Sequence, residues 1–238
     1  MRSIADSLTY FVWFLASIIL FFAARNYTVI DNFLIAFVVI VALQFVAITI
    51  HELGHAWAAY RSGAKIKAIC VVPFVWDASK QRLRFERYLP ARDIGGYVSY
   101  AFEKNGSTRK EVAIAAAGPL ANIASAAMVT TLAALLSLAS PPRDSAPGAA
   151  VAPITTINPD AAPPAQAAPL KLPSTEELDA MIEKDRAKRH KEVMAEWAEA
   201  LTSLFVAISV ILGLLNLIPT RGSDGAQILD GWRQLRAR

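Results

Sequence analysis

The chain has 238 residues, 55% of them hydrophobic, with a formal net charge of +4 and a single cysteine. That apolar fraction is too high for an ordinary soluble domain of this length. One cysteine excludes an intrachain disulfide, and the small basic excess needs no nucleic acid to explain it.

The apolar residues gather into four stretches without a charge, at 7–24, 32–50, 112–142 and 200–220. Each approaches or exceeds the roughly 18–20 residues with which a helix crosses about 30 Å of hydrocarbon. The expected class is an α-helical polytopic membrane protein with about four transmembrane helices. The first stretch reads as a retained anchor rather than a secretory signal. Only Arg2 supplies a basic leader, the apolar run from Leu8 is long, and no small-x-small cleavage site follows Phe21 and Phe22.

The second stretch runs straight into His51-Glu52-Leu53-Gly54-His55, an H-E-x-x-H motif. On a helix, residues four apart share a face, so both imidazoles can bind one metal ion, while Glu52 can reach a water on that metal without ligating it. Two histidines and a carboxylate with an open fourth position suit zinc. The apolar run at 33–50 spans about 27 Å as a helix, which places His51 near the membrane edge. His51 and His55 are two of only three histidines; the third, His190, sits in a charged, solvated run.

Residues 61–111 hold eleven Lys and Arg against five acids, so this segment is expected on the cytoplasmic side. Parity then puts both termini in the cytoplasm and residues 141–199 outside it. Within the segment, 66–75, 81–88 and 96–100 have strand-like composition, with Arg82, Arg84 and Arg87 falling mostly on alternate positions. A small antiparallel sheet at the cytoplasmic surface, partly dipping into the membrane, is expected. Cys70 lies in an apolar run there and reads as a small buried hydrophobe.

The third stretch carries Gly118-Pro119-Leu120-Ala121-Asn122. Gly118 and Asn122 share a helix face, where the glycine allows close helix contact and the asparagine supplies a buried amide. Residues 141–173 contain nine of the thirteen prolines and read as an extended linker. Ser174-Thr175-Glu176-Glu177 matches a capping box that opens a charged helix leading into the fourth crossing.

The fourth stretch ends in Asn216-Leu217-Ile218-Pro219, then Thr220-Arg221-Gly222-Ser223-Asp224-Gly225. Pro219 ends the helix and the glycines permit a tight turn back toward the bilayer. Because the second and fourth helices run in the same direction, Asp224 emerges on the side of His55 and is the candidate third ligand, ahead of Asp93 and Asp230. The chain thus divides into an N-terminal anchor and loop (1–31), a first part of the core (32–140), an extracytoplasmic linker and charged helix (141–199), and the last core helix with a cytoplasmic tail (200–238).

Together, H-E-L-G-H, A-A-A-G-P-L-A-N and N-L-I-P-x4-D-G, each at a membrane segment, resemble the site-2 protease family of intramembrane metalloproteases. Ile94-Gly95-Gly96-Tyr97-Val98 is similar to that family's glycine-containing membrane-associated β element. The resemblance covers about residues 33–135 and 200–232. It implies a three-helix catalytic core, one Zn2+ per chain on His51, His55 and Asp224, and Glu52 as general base. Asn216, Pro219 and Gly225 join Gly118 and Asn122 as supporting residues, and Gly95, Gly96 and Tyr97 are candidates for binding substrate. The polar stretch from Thr220 to Ser223 departs from the family, which has apolar residues or proline there.

The function implied is hydrolysis of peptide bonds in or near transmembrane segments of membrane-protein substrates, by a protein resident in the cell membrane. Two alternatives stand beside it: a membrane-anchored zincin with a glutamate as third ligand, acting on cytosolic-facing segments, and a non-proteolytic metal-binding scaffold of the same fold.

Overall fold

The structure is a computed structural model, and it describes residues 32–85, 95–103, 106–139, 174–220 and 222–237. The expected first crossing at 7–24 and the proline-rich linker at 141–173 lie outside the described residues, as do Arg87 and Asp93.

Three of the described helices are long and apolar enough to cross a membrane: α1 (Phe33–Arg61, 29 residues), α2 (Thr108–Ala139, 32 residues) and α3 (Thr175–Leu217, 43 residues). Their large apolar side chains point outward in number, with Phe37, Val38, Leu132 and Leu214 all more than half exposed. Lipid is the solvent that makes such a surface stable. A fourth helix, α4 (Asp224–Arg236), is short and amphipathic.

Each boundary has a local cause. Asn32 caps α1 by accepting from the amides of Leu34 and Ile35 at 2.9 and 3.3 Å. At the other end Gly63 adopts φ +80°, and Lys110 donates to the Ser62 carbonyl at 2.9 Å, placing a cation where the helix dipole is negative. The expected capping box opens α3: the Ser174 amide donates to Glu177 and the Glu177 amide to the Ser174 hydroxyl, at 2.9 and 3.2 Å.

Between α1 and α2 lies a four-stranded antiparallel sheet, β1 (Ala64–Val71), β2 (Phe74–Asp77), β3 (Arg82–Phe85) and β4 (Gly96–Phe102), in the order β3-β2-β1-β4. The single strand expected at 66–75 is in fact a hairpin. Pro73 lacks the amide a ladder needs, so the chain turns there and Val71 pairs with Phe74. Arg82 and Arg84 do share one face, across from Asp77 and Val75, while Phe74, Trp76, Leu83 and Phe85 occupy the other. That apolar face is largely exposed, and the Phe74 ring meets Phe45 of α1 edge-on at 6.0 Å.

By contacts the chain separates into two compact units, one of Leu135–Ala195 and one of Met1–Ala134 with Glu196–Arg238. The former holds the end of α2 and the charged first half of α3, where Arg189 pairs with Asp185 at 2.8 Å one turn away. The latter holds the site. There the helices meet through small residues: Ala47 packs with Ile208 and Leu212, and Ala58, Ala59 and Ile114 pack with Ala64 of the sheet. Gly54 lies so close to α2 that a Cβ would stand 2.6 Å from the Ala117 carbonyl oxygen. Cys70 is fully buried in β1, as a small hydrophobe.

Candidate metal centre

One turn apart on α1, His51 and His55 present their rings to the same point, with centroids 4.7 Å apart and Nε2 atoms separated by 3.1 Å. Asp224 closes the group from α4. Its Oδ2 lies 3.0 Å from His51 Nε2 and its Oδ1 3.3 Å from His55 Nε2. Among the described residues this is the one group of three side chains whose candidate ligand atoms all fall within 4.8 Å of one another. Asp230 is elsewhere, exposed on α4 and 3.5 Å from Arg233.

The turn that delivers Asp224 is built from the polar residues that depart from the family pattern. Gly222 takes φ +90°, and Ser223 caps α4 by accepting from the Ala226 amide at 3.2 Å. The Ser223 hydroxyl also reaches the carbonyl of Ile218, at 2.7 Å, so it joins the end of α3 to the start of α4. Because Ser223 is the cap, Asp224 is the first residue of α4. Gly225 is needed because a Cβ there would strike the Leu217 carbonyl. Further along α4, a Cβ on Gly231 would strike Val112 of α2.

The donor set fits zinc. Separations of 3.0, 3.1 and 3.3 Å are close to the edge of a tetrahedron with arms of about 2.0 Å, which is about 3.3 Å. Space for an ion is kept by Gly118, whose Cβ would fall against Nε2 of His55 and lie 2.7 Å from Nε2 of His51. Gly118→Ala is therefore expected to abolish stoichiometric zinc binding while leaving helical content unchanged, measurable by metal analysis and circular dichroism of the purified protein.

Burial by itself would raise the Asp224 carboxyl, but the two imidazoles beside it outweigh this and hold it below the usual carboxylate range. The candidate third ligand is thus a carboxylate beside two imidazoles. His55 is oriented by the Ile114 carbonyl, which accepts from Nδ1 at 2.7 Å. Around His51, the Asn122 amide nitrogen lies 3.2 Å from Nδ1 and that of Asn216 3.4 Å from Nε2.

Glu52 stands outside the ligand cluster. It is buried, and a Cβ on Gly96 would come 2.6 Å from its Oε1, so the first residue of β4 must be a glycine for the carboxylate to fit. A cavity of about 460 Å³ brings these parts together, bounded by His51, Glu52, His55 and Asp224, by Gly96 to Tyr100 of β4, and by Gln227 of α4. Burial, then Glu111, pushes the Tyr100 phenol up, so it remains a neutral donor at the wall. Of the three candidate substrate residues, Gly96 and Tyr97 line the cavity, whereas Gly95 lies at the entry to β4 with φ +100° and its carbonyl bonded to the Val72 amide at 2.9 Å.

Sequence reasoning missed the Ile114 carbonyl, which carries no residue-type signal, and Gln227. It also passed over Gly54, although the Gly54–Ala58 spacing is a small-x-x-x-small pattern that marks close helix contact.

Among curated proteins and solved structures, none matches the chain. The family model for peptidase family M50 matches residues 36–237, from the first turn of α1 to the end of α4. Since that match spans nearly all of the chain, the protein belongs to peptidase family M50, the site-2 protease family of membrane zinc metallopeptidases.

Proposed function

We propose that this protein hydrolyses peptide bonds in or beside transmembrane segments of membrane-protein substrates, with His51, His55 and Asp224 holding one zinc ion and Glu52 acting as general base. The observation that carries this reading is the convergence of two histidines from a membrane-crossing helix and a carboxylate from α4 on one cavity. Zinc held there would supply Lewis acidity toward water and the scissile carbonyl. Glu52 takes the proton of the attacking water and passes it to the leaving amine. Among the described residues no glutamate joins His51 and His55, which speaks against the zincin arrangement.

Substrate is read through its backbone. A helix hides its carbonyls in internal hydrogen bonds and must unwind locally to be cut. β4 is an edge strand of the sheet and lines the cavity from Gly96 to Tyr100, so an unwound segment adds to it by β-pairing and lies across Glu52. Proline substitutions along residues 97–99 then slow cleavage without removing zinc. The bilayer is the second partner, met by the exposed apolar faces of α1, α2 and the β2–β3 hairpin.

The membrane is the cell membrane, with the sheet and both termini cytoplasmic, by the eleven basic residues at 61–111. In a Cys70→Ser background, a cysteine at position 150 is expected to be labelled from outside the cell and one at position 104 not; the reverse pattern overturns this orientation. The substrates are found by comparing membrane proteomes of cells carrying the wild type and Glu52→Gln. Uncut single-span proteins should accumulate in the variant, and identical proteomes under every growth condition tried count against the reading.

A further inference from the structure

We propose that Asn122 is the positioning residue for His51, accepting the proton on His51 Nδ1 through its side-chain carbonyl and so keeping the Nε2 lone pair on the metal. The inference rests on the zinc reading above.

Asn122 is completely buried on α2, with its amide nitrogen 3.2 Å from His51 Nδ1. Among the described residues nothing hydrogen-bonds its Oδ1. Two states of His51 fit these positions. With the proton on Nε2, the ring donates to Asp224 Oδ2 at 3.0 Å, Nδ1 accepts from the amide, and Oδ1 is left unpaired. A ligating Nε2 must instead present its lone pair, so the proton moves to Nδ1. An amide nitrogen facing that N–H would then set donor against donor.

The oxygen and nitrogen of a carboxamide are nearly equal in size, and their assignment follows from the hydrogen bonds they make. Turning the Asn122 amide by half a revolution puts Oδ1 against Nδ1–H at the same separation. The oxygen becomes the acceptor the imidazole needs, and the amide nitrogen takes the buried position at which no partner is found among the described residues. His55 sets the precedent within this site, since the Ile114 carbonyl, which can only accept, takes its Nδ1 proton at 2.7 Å. Each ligating histidine is thus backed by one carbonyl from α2, from the main chain for His55 and from a side chain for His51. Such outer partners fix ring orientation and raise ligand basicity.

The test separates acceptor from donor. Asn122→Asp keeps an oxygen acceptor and loses the amide N–H; Asn122→Leu keeps the volume and loses both. Zinc affinity of the purified proteins is measured by competition with a chromogenic chelator, with circular dichroism to verify the fold. Asn122→Leu is expected to bind zinc about ten- to a hundredfold more weakly than wild type, and Asn122→Asp to stay within a few-fold of it. Folded Asn122→Asp protein as weak as Asn122→Leu overturns the proposal, because the N–H would then be the group that matters. So does Asn122→Leu with wild-type affinity. A wild-type protein that binds no zinc at all refutes the metal reading beneath it, an outcome distinct from either.

Discussion

Glu52→Gln is expected to lower peptide cleavage by at least about 10²–10⁴-fold, the usual contribution of a positioned general acid–base, while the purified protein retains one zinc per chain. Glutamine has nearly the volume of glutamate, so the contact with Gly96 survives, but the amide cannot take a proton from water. Glu52 is not among the side chains whose ligand atoms converge, which is why zinc should stay. Zinc content and cleavage must be read on the same preparation. Loss of zinc would make Glu52 a ligand, and cleavage at near the wild-type rate would refute its role as base.

Asp224→Ala should fail the other way, losing zinc and activity together. The carboxylate lies within 3.0–3.3 Å of both Nε2 atoms, and it would offset half of the +2 charge of a bound zinc ion beside a low-dielectric layer, where an uncompensated charge is costly. Removing it leaves two neutral imidazoles, so zinc affinity should fall by more than the roughly ten- to hundredfold typical of an outer-shell partner. Asp230→Ala and Asp93→Ala should keep zinc bound. Asp230 is exposed and faces Arg233. If Asp224→Ala protein keeps one zinc per chain while Asp93→Ala loses it, the ligand assignment is wrong.

What could be read from sequence follows from what is periodic or local. The shared face of His51 and His55 follows from helical spacing, and the side on which Asp224 emerges from the direction of two crossings. The capping box at Ser174 and the helix end before Pro219 are local rules that held. The continuous apolar run at 66–75 points to one strand, although the amide missing at Pro73 decides for a hairpin. The polar residues Thr220 to Ser223 looked like a departure, yet Ser223 is what starts α4 and aims Asp224.

Contacts between distant elements left no signal of their own. Gly96 against Glu52, Gly118 against both imidazoles and Gly231 against Val112 are each set by how elements pack. A glycine in sequence announces only that something comes close, not what it is. The Ile114 carbonyl is a main-chain group that every residue carries, so nothing in the side chain points to it.

X-ray absorption at the zinc edge of the purified wild-type protein tests the metal centre most directly. The expected spectrum shows one zinc per chain with two imidazole nitrogens at about 2.0–2.1 Å, one carboxylate oxygen at about 2.0–2.2 Å and a further oxygen, in four-coordinate geometry. A preparation without zinc, or a shell containing sulfur or lacking imidazole, would contradict the assignment of His51, His55 and Asp224.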